Sequence, residues 1–244
     1  MTAGLRGRRY LGVIRLCRQH PRASGEPESS LVDLVDPAEM LRYRASLPGA
    51  SGYDAAAHAL RLLPHDTDEL ALLPLVFPNS WMVNATATSR TFRAWRSAEG
   101  RQAFGAILTL LPREMGLADW LETSAEERVA IEAFVRVLAR SEGSSLAAVS
   151  KVLSLYRPHL VPLLDDAAIA FALGTVAHPA TADAPQADPR WFVPMLDWFA
   201  REHDREEPAL LELARGHREA VLDTAQVLDR LLWVASWGDA QRGR

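Results

Sequence analysis

The apolar positions of this chain recur mainly at helical spacing. The clearest case starts at Ser124-Ala125-Glu126-Glu127, a capping box in which the first and last side chains each satisfy the other's free backbone N–H. Behind it, Val129, Ile131, Phe134, Val135 and Leu138 are placed by spacing on one helical face, and Gly143 is the expected stop. An earlier helix is predicted from Asp36-Pro37-Ala38-Glu39, with an acid at the cap, proline in the first turn and glutamate two residues later; Leu41 and Ala45 lie on its apolar stripe. Further helices are expected over Tyr53–Leu63, ending at Pro64; over Asp66–Leu73, with acids in its first turn; and over Arg101–Leu111, ending at Pro112. Asn79–Trp95 is mixed and only moderately helical.

Two more helices, Ser145–Leu155 and Asp165–Leu173, flank a proline-punctuated link, Arg157-Pro158-His159-Leu160-Val161-Pro162, and Gly174 stops the second. Thr175–Asp188 reads as a long loop rich in Ala, Pro and Asp. Asp188-Pro189 opens a helix carrying Trp191, Phe192, Leu196, Trp198 and Phe199, and Pro208–Trp237 reads as one long helix or two, with Gly216 as a bend. Strand alternation is nowhere sustained. Tyr10–Cys17 reads as a short strand with only Leu31–Val35 as a partner, and residues 18–30 read as a loop. The expectation is an all-α, irregular multi-helix bundle: a single helical domain over 31–244, with a long loop near 175–188, preceded by an irregular basic segment over 1–30.

Composition changes this picture in one respect. The 244 residues are 48% hydrophobic and 24% charged, ordinary for a globular chain, and no apolar run is long enough to span a membrane. The formal charge of −4 is uneven: residues 1–22 hold six arginines and no acid, leaving 21 basic against 31 acidic residues elsewhere, a net of −10. A body this acidic is a poor partner for a polyanion, whose phosphates need clustered cations. The single cysteine, Cys17, excludes an internal disulfide and a thiolate metal cage, and it fits a reducing cytoplasm. Arginine in place of nearly all lysine points to GC-rich bacterial coding.

Recognised catalytic signatures are missing. There is no GxSxG, P-loop, GxGxxG or HExxH, the seven histidines form no close pair, and no metal or cofactor is implied. The seven tryptophans supply core packing or, as the sharper alternative, an aromatic pocket or an apolar homodimer surface. The most specific chemistry lies between Gly143 and Gly174, which holds the sole lysine, Lys151, and the pair Asp165 and Asp166. In one reading this segment is scaffold: an aspartate caps the next helix, the prolines stiffen the link, and Arg157 or Lys151 pairs with an acid. In the other, Lys151, Arg157, His159, Asp165 and Asp166 converge on one pocket that binds an anion or activates water.

Two resemblances bear on the choice. Lys151-Val152-Leu153, Arg157-Pro158, Pro162 and Asp165, together with Leu228-Asp229 and Leu232-Trp233, resemble an uncharacterised bacterial family of helical domains; that resemblance implies an α fold and no assigned activity. Gly143 to Pro158 is locally similar to helix-hairpin-helix DNA glycosylases. There Ala139-Arg140-Ser141-Glu142-Gly143 stands in place of the usual hairpin, the lysine of the lyase-type members falls on Ser145, and Asp165 is the nearest match to the catalytic aspartate. The leading expectation is a cytoplasmic helical domain that binds a partner protein or small ligand. A glycosylase-like nucleic-acid module and a hydrolase using Asp165 and Asp166 are the alternatives. If Asp165 is mainly a cap, Asp165→Asn will leave folding nearly intact and Asp165→Ala will cost about 1 kcal/mol, measured by urea unfolding.

Overall fold

A computed structural model describes residues 13–20, 28–34, 36–45, 50–64, 66–76, 88–141, 144–174, 189–216 and 223–242. Its elements, in chain order, are strands β1 (Ile14–His20) and β2 (Glu28–Leu34), then helices α1 (Pro37–Ala45), α2 (Ala50–Arg61), α3 (Leu73–Val76), α4 (Thr88–Trp95), α5 (Ala98–Leu110), α6 (Leu117–Glu122), α7 (Ala125–Ala139), α8 (Leu146–Tyr156), α9 (Asp166–Leu173), α10 (Phe192–Gly216) and α11 (Thr224–Arg242). A 3-10 turn, Glu69–Leu72, leads into α3. The architecture is an all-α multi-helix domain with one small antiparallel sheet at its side.

The expected capping chemistry is in place. Ser124 and Glu127 form their reciprocal box at the start of α7. Ser145 Oγ accepts from the Ala148 N–H, and Ser97 Oγ from the Gly100 N–H, opening α8 and α5. Ile131, Val135 and Leu138 of α7 are buried, but Val129 is 69% exposed, so the apolar face is narrower than its spacing implied. Gly143, the expected stop for α7, lies outside the described residues. Around residue 66 the cap is Asp68, whose carboxylate accepts from Leu70 and Ala71 N–H groups and starts a 3-10 turn rather than an α-helix.

Two expectations near the chain's ends are corrected. Residues 18–20 and 28–30, read as loop within an irregular segment, belong to strands: β1 pairs with β2 in the register Ile14↔Leu34 to His20↔Glu28. The strands are short, seven residues a side, and among their described side chains only Ile14, Leu16 and Leu34 are buried, so the alternation is weak. At the other end, Pro208, expected to open a helix, lies inside α10, which runs on to Gly216, the expected bend. Proline usually kinks or ends a helix because it lacks an N–H and crowds the preceding turn. Here packing of Leu210 and Leu213 into the core accompanies continuation through it.

The sheet is held against the helices by an unusual edge. The Cys17 N–H donates to Glu202 Oε2 at 2.7 Å, and Trp198 Nε1–H donates to the Cys17 carbonyl at 2.9 Å. Trp198 and Glu202 are four residues apart on α10, hence on one face. Together they supply the acceptor and donor that a third strand would offer, closing an edge that would otherwise invite pairing. Glu202, itself buried, is held by Arg205 Nη1 at 2.7 Å. Gly174 completes this contact from α9: its φ is +62°, and a Cβ there would lie 2.9 Å from the Gln19 carbonyl carbon. Only glycine meets both demands without strain.

One continuous apolar core runs through the bundle, and α8 and the link sit within it. Every residue from Val152 to Pro158 is buried, as are Leu160, Val161, Leu163 and Leu164. Around this axis α2 packs on α8, α5 on α7, α9 on α11 and β1, and α1 and α10 on α11. The two C-terminal helices thus pack against each other. No described helix is long and apolar enough to cross a membrane.

Candidate functional site

Arg157 ends α8 and points inward, 2% exposed. Its guanidinium has five N–H donors, and the structure gives each a partner. Nη1 reaches Glu69 Oε1 at 2.8 Å and the Tyr156 carbonyl at 2.9 Å; Nη2 reaches Glu69 Oε2 at 2.8 Å and the Leu108 carbonyl at 3.1 Å; Nε donates to the Leu111 carbonyl. Glu69 is thus gripped by a two-pronged guanidinium, the geometry that suits arginine and not lysine. It also accepts from Arg113 Nε at 2.8 Å, while Arg113 Nη1 bonds the Leu63 and Pro64 carbonyls. The Tyr156 hydroxyl donates to the Glu69 backbone carbonyl at 3.2 Å. Burial alone would raise the Glu69 pKa, but the hydrogen bonds and charges of Arg157, then Arg113, more than offset it and hold the carboxyl below its usual value. Burial and the nearby Glu69 charge raise the Tyr156 phenol, which stays protonated and donating.

The five candidate residues do not meet at one point. Arg157 faces Glu69 and the end of α5, with every donor used inside the protein. His159 points elsewhere, its Nδ1 against Asp223 Oδ2, beside Arg61 Nη1 at 3.7 Å from the same oxygen. Asp223 Oδ1 in turn accepts from the Gln226 N–H at 2.8 Å, so this acid opens α11. Next to it, His203 Nε2 lies 2.6 Å from Thr224 Oγ1, and burial lowers the pKa of that imidazole.

Lys151 and Asp165 lie near enough for their charges to interact. Both are half-buried, and each feels the other's charge. Burial lowers the Lys151 ammonium's pKa, with Asp165 opposing; burial raises the Asp165 carboxyl, with the Ala168 N–H and Lys151 opposing. Asp165 Oδ1 accepts from Ala168 N at 2.8 Å and caps α9, while Asp166 is the first residue of that helix. The side chain that caps α9 is therefore also the one whose charge reaches Lys151. Along α8 only Ala147 and Lys151 are part-exposed, so the sole lysine occupies the helix's narrow outer stripe.

Sequence reasoning missed Glu69 and Asp229. Glu69 gave no signal beyond being one of several acids before α3. Asp229 Oδ1 accepts from the Leu163 N–H at 2.8 Å, joining α11 to the link. Its position in the Leu-Asp…Trp motif was the available hint.

Two concavities accompany these groups. A groove of about 420 Å³ lies between the end of α5, α6 and α7, lined by the apolar Leu110, Pro112 and Met115 and by the acids Glu114, Asp119 and Glu127. Asp119 Oδ2 accepts from the Gly116 N–H at 2.7 Å, and hydrogen bonds from Ser124 hold Glu127 below its ordinary pKa. The second, where α1, α2, the link and α11 meet, is small and polar, and Arg44, Asp229 and Arg230 line it. Among the described residues, no three His, Cys, Asp or Glu side chains are grouped as a metal ion would need.

The fold and its buried arginine node define a helical domain without a recognised catalytic constellation among the described residues. The chain belongs to the family of unknown function DUF6308, which matches residues 81–236 and so spans both the link and the Leu-Asp…Trp helix. No curated protein and no solved structure matches it.

The Glu69 geometry fixes a pH dependence. A carboxyl whose folded pKa lies below its unfolded value contributes stability that is present above the unfolded value, near 4.5, and is lost as pH falls through the folded one. Wild-type stability, followed by urea unfolding at stepped pH, should therefore fall as pH drops below about 4.5, and Glu69→Gln should flatten that part of the curve.

Proposed function

We propose that the protein is a binding module whose ligand-contacting surface is the groove between α5, α6 and α7, and that its ligand is a small organic cation with an apolar body. The carrying observation is the groove itself. Its volume of about 420 Å³ falls in the range of small-molecule sites, and it joins three apolar side chains to three carboxylates with no lysine or arginine among its lining residues. Leu110, Pro112 and Met115 offer area for an apolar body; Glu114, Asp119 and Glu127 favour a positive group above it.

Asp119 and Glu127 are also held in place by capping bonds, so the charges are positioned before a ligand arrives. Such preorganisation reduces the ordering cost of binding. The proposal places the chain in a reducing cytoplasm, in keeping with its one thiol. Cys17 has a raised pKa, from burial and then Glu202, which suits a structural thiol.

The other readings draw less support. For nucleic acid, the chain beyond its first 22 residues has a net charge of −10, and α8, the helix that would follow a DNA-binding hairpin, is buried along nearly its whole length. For a hydrolase, Asp165 already spends one oxygen on the α9 cap, where it accepts from the Ala168 N–H.

Calorimetric titration with tyramine, and with 4-ethylphenol as its uncharged counterpart, tests the proposal. Tyramine should bind and the phenol should not. Glu114→Lys should weaken tyramine tenfold or more, about 1.4 kcal/mol, and Met115→Trp should fill the groove and abolish binding. Equal affinity for the two probes, or amine binding indifferent to both substitutions, contradicts it, as does no binding at millimolar tyramine.

A further inference from the structure

The small polar cavity is a different site, and its chemistry has the opposite sign. Arg44 from α1 and Arg230 from α11 both line it and are 4% and 5% exposed. Asp229, Gln226 and Ser154 supply the other polar groups, and Pro158 of the link forms part of the wall. The charged lining is thus two guanidiniums against one carboxylate. A guanidinium has five N–H groups, so it can hold an internal partner and still turn donors into the cavity. The Cζ of Arg44 sits 5.5 Å from the centre of the Trp233 ring, a cation–π contact. Asp229 is fixed, with Oδ1 bonded to the Leu163 N–H at 2.8 Å.

Size narrows the occupant. The space is about 20 Å³, and one water-sized sphere needs roughly 10–15 Å³ on that measure. That space matches one water or one monatomic anion. The low-dielectric surroundings strengthen a charge–charge contact well beyond its value in water. We propose that the cavity binds a single chloride-sized anion between Arg44 and Arg230, tying α1 to α11 against the link. The site is independent of the acidic groove, which lies on α5, α6 and α7.

Halide titration of the full chain tests this, with ionic strength held constant by sodium gluconate. The expected result is a saturable rise in Tm of at least about 2 °C with chloride and with bromide. Arg230→Gln should remove the dependence, and bromide-soaked crystals should show an anomalous peak between the two guanidiniums. If Arg230→Gln does not fold, the wild-type titration and the bromide peak decide the matter. Equal Tm in halide and gluconate, or an anomalous map empty at the cavity, means that water alone occupies it and overturns the proposal.

Discussion

The Arg157–Glu69 contact is the constraint on which the rest of this structure depends. A guanidinium 2% exposed is costly to bury unless its charge and all its donors are met. Here Glu69 comes from the 3-10 turn before α3, Leu108 and Leu111 from the end of α5, and Arg157 from the end of α8. Three segments distant in sequence are thereby fixed at one point. Arg113 extends the node to the Leu63 and Pro64 carbonyls after α2. Such a node adds specificity more than stability: an apolar core of the same volume tolerates several arrangements, whereas a buried forked ion pair accepts few.

A similar logic recurs at smaller scale. Arg128 bonds the Trp120 carbonyl at 2.9 Å, Asp197 Oδ1 at 2.6 Å and the Thr123 carbonyl at 3.1 Å, joining α6, α7 and α10. Glu202 and Trp198 clamp the edge of β1, and Asp229 fastens α11 to the link. Short helices and irregular connections leave many backbone carbonyls without partners. Arginine, with five donors and a permanent charge, is well suited to gather them, which accounts for how an arginine-rich, lysine-poor chain uses its cations.

Much of the fold was legible because its signals are local. Ser124, Ser145, Asp165 and Gly174 act where their residue types and spacing place them, and the buried stripe of α7 is visible in Ile131, Val135 and Leu138. The hairpin was harder: its strands are short, and it is completed by α10, some 180 residues away. Pro208 misled because the local cost of proline in a helix is outweighed by tertiary packing. Of the candidate site, Asp165 as a cap and its proximity to Lys151 followed from the segment itself. The partner of Arg157 did not, since 88 residues separate it from Glu69 and nothing in a lone acid announces a distant guanidinium. The acidic groove was invisible for the same reason: it forms only when α5, α6 and α7 are assembled.

A double-mutant cycle on Glu69 and Arg157 tests the central claim most directly. Arg157→Met and Glu69→Leu singly should each cost about 3–5 kcal/mol, because the first leaves Glu69 with Arg113 alone and the second strands the buried Arg157 charge. The pair together should cost well under the sum of the two, giving a coupling of about 2–3 kcal/mol. Costs that simply add, to within about 0.5 kcal/mol, would show that the two side chains act independently and that the fold does not hinge on their contact.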